Sequence, residues 1–285
     1  MPPVSSARTE SGYRVRYWER STSCGLLGLD ATWSLQLAPQ LGSLVHRPPA
    51  CPAAQVIYDL VHRRLWIKGA HVRPEPTRLG ADSRYCGLRL QPSAATWLVG
   101  SVAFDLRNRV LPWREVTRDP WWHTLSSALE DIGTADAALE TFVVHLRRRP
   151  LPPIDRAAER ARQLVDAYTL GAEGRDCADP SRLVDNIARS VDLSPRQLRR
   201  RFCRAVGLGI KAYQQTVRVR ACAQRMLGEP ATHLASIAHT AGFADQAHLT
   251  RQFRAHVGMT PSRYRSDYAD LSDQQPAGTI RHVVA

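Results

Sequence analysis

Apolar and polar positions alternate near the start of the chain and change to a helical rhythm before its middle. From Tyr13 the alternation puts Tyr13, Val15 and Tyr17 on one side and Arg14, Arg16 and Trp18 on the other, which predicts a half-buried strand. Strand-like stretches follow at Gln55 to Leu60, Leu65 to Lys68 and Tyr85 to Leu90. Pro48, Pro49, Pro52, Pro74, Pro76 and Gly80 punctuate the gaps between them. Residues 1 to 10 are small and polar and predict disorder. Beyond Pro92 the rhythm is helical, and Leu139, Phe142, Val143 and Leu146 fall at the i, i+3, i+4, i+7 spacing of a helix that buries one face. The stretch "RRRPLPPID" at 147–155 cannot continue that helix, because proline lacks the backbone donor and clashes with the preceding turn. It reads as a linker. After it, helices are expected over Arg156 to Leu170, Pro180 to Ser190, Pro195 to Val206, Ile210 to Leu227, His233 to Thr240 and Asp245 to Val257, with a short one from Pro261. The expected architecture is α+β: a β-rich N-terminal domain with trailing helices at 11–150, an all-α domain at 156–268, and a loose tail at 269–285.

The helical half repeats itself. A shift of 51 residues lays "LSPRQLRRRFCRAVG" (193–207) on the stretch that runs through 244–258, matching Leu198 with Leu249, Arg200 with Arg251, Phe202 with Phe253, Val206 with Val257 and Gly207 with Gly258. Ser194, followed by Pro195 and by Gln197 at the third helical position, reads as a capping box, and Asp245 is an N-cap in its own right. Upstream, Ile187 and Ala188 match Ile237 and Ala238 at a shift of 50, so the copies differ by one residue in the turn. Each copy is a short helix, a tight turn and a second helix, the layout of a helix-turn-helix. At 100° per residue, Leu198 and Phe202, like Leu249 and Phe253, face inward as the motif core. Arg196, Arg200 and Cys203 face outward in the first copy, and Ala247, Arg251 and Arg254 in the second. The intervening helix, about 18 residues or about 27 Å long, can set the two second helices at neighbouring major-groove segments, which recur about every 34 Å on one face of B-DNA.

Charge sharpens this picture. The chain has a formal net charge of +13, and between 194 and 265 thirteen lysines and arginines stand against Glu229 and Asp245 alone. A solvated face would mix signs, with acid–base pairs at i, i+4. Here acids are almost absent from both second helices, which points to a polyanionic partner, double-stranded DNA.

The stretch "GFADQAHLTRQFRAHVGMTPSRYR" (242–265), together with the first motif and the connecting helix, resembles the DNA-binding domain of the AraC/XylS family of bacterial transcription regulators over 156–268. The resemblance implies groove-facing roles for Arg196, Arg199 and Arg200 in the first motif and for Gln246, Ala247, His248 and Arg251 in the second. Arginine can fork onto guanine, glutamine onto adenine, and the alanine methyl can touch a thymine methyl. Ser194, Arg204, Asp245, Thr250, Arg254 and Arg263 are placed for phosphates or at the helix starts that meet them. For each arginine a plain phosphate contact is the competing role, and for His248 and Cys203 it is passive surface. The resemblance also implies a partner in RNA polymerase, with activation the family's usual mode. Upstream, "VIYDLVHRRLWIKGAH" (56–71), "YCGLRLQPSAATWLVG" (85–100) and "NRVLPWREV" (108–116) resemble an uncharacterised N-terminal domain found in one subgroup. "RPPACPAAQ" just before it lacks the acidic and glycine residues expected there. In the family such a domain senses a small molecule, pairs two copies, or both.

The residues leave those alternatives open. Trp33, Trp66, Trp97, Trp113, Trp121 and Trp122 suit an apolar pocket or an ordinary core, and the helical surface at 122–147 suits a homodimer. Six scattered cysteines without a CxxC pair or a preceding signal peptide read as reduced, cytoplasmic thiols. Ten histidines without an HxxxH or HExxH pattern predict no metal, nothing points to a cofactor, and no apolar run is long enough for a membrane span. An enzyme, such as a repair protein with a reactive cysteine, finds no Cys–His spacing to support it. A sequence-blind architectural binder would not need two matched frames.

Overall fold

The computed structural model describes residues 5–8, 14–21, 28–37, 42–99, 103–150, 154–171 and 182–268. Tyr13, the centre of the linker at 151–153, the helix start expected at Pro180 and the tail from Ala269 lie outside the described residues. The strands are β1 (Ser5–Arg8), β2 (Arg14–Ser21), β3 (Leu29–Leu37), β4 (Ser43–His46), β5 (Gln55–Asp59), β6 (Arg64–Lys68), β7 (Thr77–Gly80), β8 (Arg84–Leu90) and β9 (Val110–Pro112). Seven of them make one antiparallel sheet in the order β1-β2-β3-β8-β5-β6-β9, and β4 pairs with β7 in a second.

Two expectations need correcting here. Residues 5–8 form a strand paired with β2, Ser5 opposite Tyr17 and Arg8 opposite Arg14, where disorder was expected. Ladder hydrogen bonds are made by the backbone, so a small polar segment can complete a sheet edge. The loop between β5 and β6 begins one residue earlier than expected because Asp59 Oδ1 accepts the N–H groups of Val61 (2.9 Å) and His62 (3.0 Å), turning the chain. Arg63 closes this turn in the left-handed region, at φ 57°.

The helices are α1 (Ala95–Val99), α2 (Trp113–Val116), α3 (Pro120–Leu129), α4 (Ala135–Arg147), α5 (Arg156–Leu170), α6 (Leu183–Ser190), α7 (Pro195–Val206), α8 (Ile210–Gly228), α9 (Leu234–Thr240), α10 (Gln246–Val257) and α11 (Pro261–Tyr268). Helices α3 and α4 lie on the large sheet. Leu125, Leu129, Leu139, Phe142 and Leu146 share one core with Val56, Ile67 and Leu88, so the apolar stripe that could have faced a second copy is buried inside the domain. Trp113 and Trp122 belong to the same core, stacked with centroids 6.1 Å apart, and Trp122 Nε1 donates to the Leu98 carbonyl (3.2 Å). Trp97 and Trp121 hold the Arg149 guanidinium between them, at 5.3 and 4.8 Å, where the chain leaves α4.

The C-terminal half is all-α and has two cores strung along α8. Its first half gives Ile210, Tyr213 and Val217 to a cluster with Ile187, Leu198 and Phe202. Its second half gives Val219, Cys222, Ala223 and Met226 to a cluster with Ile237, Leu249, Phe253 and Tyr264. Each helix-turn-helix therefore has its own core, and one continuous helix joins them.

Candidate nucleic-acid interface

The second helices of the two motifs, α7 and α10, are built alike from their ends. Ser194 caps α7 through its side chain, which accepts from Gln197 N–H (3.3 Å), while the Gln197 side chain accepts from Ser194 N–H (3.0 Å). Asp245 caps α10 by accepting from His248 N–H (2.6 Å). Both helices end on a left-handed glycine, Gly207 at φ 82° and Gly258 at φ 83°. Leu198, Phe202, Leu249 and Phe253 are completely buried. Phe202 meets the Tyr213 ring edge-on at 5.5 Å, and Phe253 meets Tyr264 at 5.3 Å. The cores thus fix the rotation of each helix about its axis.

That rotation leaves Arg196, Arg199, Arg200 and Arg204 of α7 exposed, and likewise Gln246, Ala247, Arg251 and Arg254 of α10. Most of these side chains lie in the N-terminal two-thirds of their helices, the part of a reading helix that meets base edges. The other named residues are differently placed. His248 is half-buried, its ring edge-on to Phe243 at 5.4 Å, and its Nδ1 lies 3.4 Å from Ala244 N. Thr250 Oγ1 donates back to the Gln246 carbonyl (2.8 Å), and Arg263 Nε lies 3.3 Å from Asp267. Arg201 is turned away and bound to Asp155 by two hydrogen bonds, at 2.7 and 2.8 Å. Those bonds hold the Asp155 carboxyl below the usual range while Asp155 also caps α5. Arg201 is therefore a strut between α7 and α5, a role its place in a run of arginines conceals.

A polar network braces the first motif. Arg162 on α5 binds both Glu159 (2.6 Å) and Asp166, Tyr213 of α8 donates to Asp166 (2.9 Å), and Ser93 of the N-terminal domain donates to Glu159 (2.7 Å). Burial raises the Asp166 carboxyl to about 6 despite the Arg162 charge. The expected outward cysteine, Cys203, is half-buried beside Arg107 of the N-terminal domain, and burial raises its thiol. Among the described residues, no group of three or more His, Cys, Asp and Glu side chains is placed to hold a metal ion. No described helix is long and apolar enough to cross a membrane.

Residues 187–267 match the family model described as a helix-turn-helix domain. The arabinose operon regulatory protein of Escherichia coli is 25% identical over 115 residues, covering 40% of this chain and 36% of that protein. The HTH-type transcriptional regulator RipA of Corynebacterium glutamicum is 26% identical over 170 residues, 59% of this chain and 49% of that protein. The HTH-type transcriptional regulator Rv1931c of Mycobacterium tuberculosis is 30% identical over 118 residues, 41% and 45% of the two chains. The chain thus spans less than half the length of each of these relatives. A crystal structure of an AraC-type DNA-binding domain-containing regulator from Chromobacterium violaceum aligns over 40% of this chain and 93% of that one, with 25% identity and a TM-score of 0.34. Residues 187–267 thus carry a helix-turn-helix domain, and over its C-terminal part the chain is similar to transcription regulators, the arabinose operon regulatory protein among them.

Proposed function

We propose that the chain is a sequence-specific transcription regulator that sets α7 and α10 into two adjacent major-groove segments of one duplex. The observation that carries this is the repeated frame: two capped helices, each locked by a buried Leu–Phe pair and each presenting arginines on its free side. Arg196, Arg199 and Arg200 read bases from α7, and Gln246, Ala247 and Arg251 from α10, with His248 at the edge of the second set. Ser194, Arg204, Asp245, Thr250, Arg254 and Arg263 line the phosphate side, the two acid-or-hydroxyl caps through the helix starts they close. Activation through RNA polymerase is the favoured outcome of binding. The N-terminal domain modulates it through a small molecule or through pairing of two chains.

Substitution separates this from binding by charge alone. Arg200→Ala and Arg251→Ala should each lose about 1 to 3 kcal/mol at their own base pairs, with the two losses mapping to different blocks of the site. Equal weakening on every sequence, with the salt slope falling by about 1, would make both arginines phosphate contacts and the protein a sequence-blind binder.

A further inference from the structure

The N-terminal domain touches both reading helices, and it does so at equivalent points. At the end of α7, a Cβ on Gly207 would stand 2.7 Å from the Ala103 carbonyl oxygen, in the 3-10 turn Ala103–Leu106. At the end of α10, a Cβ on Gly258 would stand 3.2 Å from Pro74 Cβ and 3.7 Å from the Arg47 guanidinium. These glycines are counterparts in the 51-residue repeat. Two residues earlier, Ala50 N–H donates to the His256 carbonyl (3.0 Å), a second hold on α10.

The segments that carry the two holds are hydrogen-bonded to each other. The strap that leaves β6 at Gly69 and reaches Pro74 is stitched to the turn after Leu106: Gly69 N–H donates to Arg109 O (3.0 Å), Asn108 N–H to Ala70 O (2.9 Å) and Val72 N–H to Asn108 Oδ1 (3.0 Å). Gly69 lies so close to this turn that a Cβ there would fall 1.8 Å from the Leu106 carbonyl oxygen. Between the two holds, Ala70 joins the core cluster of the first motif and Val72 packs against it, the cluster to which α8 contributes Val217.

We infer that the strap at 69–74 and the turn at 103–109 form a gauge that sets the distance between the two DNA blocks the protein accepts, with Ala103 and Pro74 as its specificity-determining contacts. The inference rests on the two-block function proposed above. Holding a reading helix at its C-terminus leaves its base-reading end free, and small changes there are magnified. Twelve residues of helix span about 18 Å, so a tilt of about 10° at the cap moves the N-terminal tip by about 3 Å. That is close to the rise of one base pair, about 3.4 Å. A solid contact at each cap therefore selects one spacing between blocks, where α8 alone would leave room for its neighbours.

The test measures full-length protein on duplexes carrying the two blocks at centre separations stepped by single base pairs, and on duplexes with one block. Wild type should favour one separation over its neighbours by about tenfold or more, since a slipped register sacrifices a motif's base contacts. Gly207→Ala, which must push Ala103 aside, and Pro74→Gly, which removes the ring that packs on Gly258 while leaving the Ala50–His256 hydrogen bond and the DNA-binding domain intact, should each flatten that preference to less than about threefold. Pro74→Gly should leave one-block binding unchanged. Gly242→Ala is the control for left-handed strain: it sits at φ 72° with its nearest outside atom, on Arg218, 3.7 Å away, and it should keep the wild-type preference. If Pro74→Gly and Gly207→Ala both keep that preference, the gauge is wrong and the two-block function stands. Wild type that binds with no preference for any separation would overturn the two-block function and the gauge with it.

Discussion

Replacing Phe253 with alanine should unfold one motif and spare the other. Phe253 is completely buried among Leu249, Val257, Ile237 and Tyr264, with its ring edge-on to Tyr264 at 5.3 Å. At about 25 cal/mol per Å² and about 150 Å² of ring surface, burial alone contributes about 4 kcal/mol. Measured Phe→Ala changes in cores cost about 3 to 5 kcal/mol, and the lost aromatic pair adds up to about 1.5 kcal/mol. No residue of the first motif belongs to this cluster; its phenylalanine, Phe202, sits with Tyr213 around the other half of α8. In urea unfolding of the full chain, a loss of about 4 kcal/mol at a slope of about 2 kcal/mol per M moves the midpoint of the second motif down by about 2 M. The transition should split, and binding to a duplex carrying only the first motif's block should survive. A midpoint within about 0.3 M of wild type would refute the inward placement of Phe253. Equal loss of both blocks would refute the separation of the two cores.

Other outcomes follow from single sites. Ser194→Ala, which removes the side-chain cap of α7, should cost about 1 kcal/mol, and Ser194→Asp should restore most of it in thermal melts. Burial holds the His71 imidazole well below its ordinary value, and Lys68 and Arg220 add to the effect; burial lowers His256 too. Both groups favour the folded state when neutral, so their contribution is complete above pH about 6.5 and is lost as pH falls below it. His71→Leu should flatten that acid limb, and an unchanged pH–stability curve would show that His71 is not buried at the domain junction. Asp166 runs the opposite way: its carboxyl, raised to about 6, costs most above that pH and is relieved by acid, so Asp166→Asn should remove this dependence. Cys86 and Cys222 are buried with their thiols pushed up to about 12, so neither should react with a thiol reagent at pH about 8 until the chain is unfolded.

The helical half is legible because its signals are local. Ser194, Asp245, Gly207 and Gly258 mark helix ends by backbone chemistry, and Leu198, Phe202, Leu249 and Phe253 mark the buried side by spacing. The sheet is only partly legible. β4, β7 and β9 span 3 or 4 residues, too short for an alternation to stand out. β3 is not among the expected strands although Leu29, Ala31, Trp33, Leu35 and Leu37 alternate with polar residues, a signal the sequence does carry. The middle of its polar side is buried as well: Thr32 and Ser34 are 8% and 9% exposed while Gln36 at the end is exposed, so alternation there does not mean one wet face. The pairing of Arg201 with Asp155, and the holds at Ala103 and Pro74, join residues dozens of positions apart, each with one partner in a loop or turn. No local pattern announces such contacts.

The central claim is that α7 and α10 read two blocks on one duplex, and the most direct measurement is selection of bound sequences from a random duplex pool. Full-length protein is used at about 150 mM salt, where charge alone is screened beyond roughly 8 Å. The account predicts an enriched motif of two short blocks with centres about 10 base pairs apart. Retention without any enriched sequence, together with a steep fall in affinity as salt rises, would contradict it.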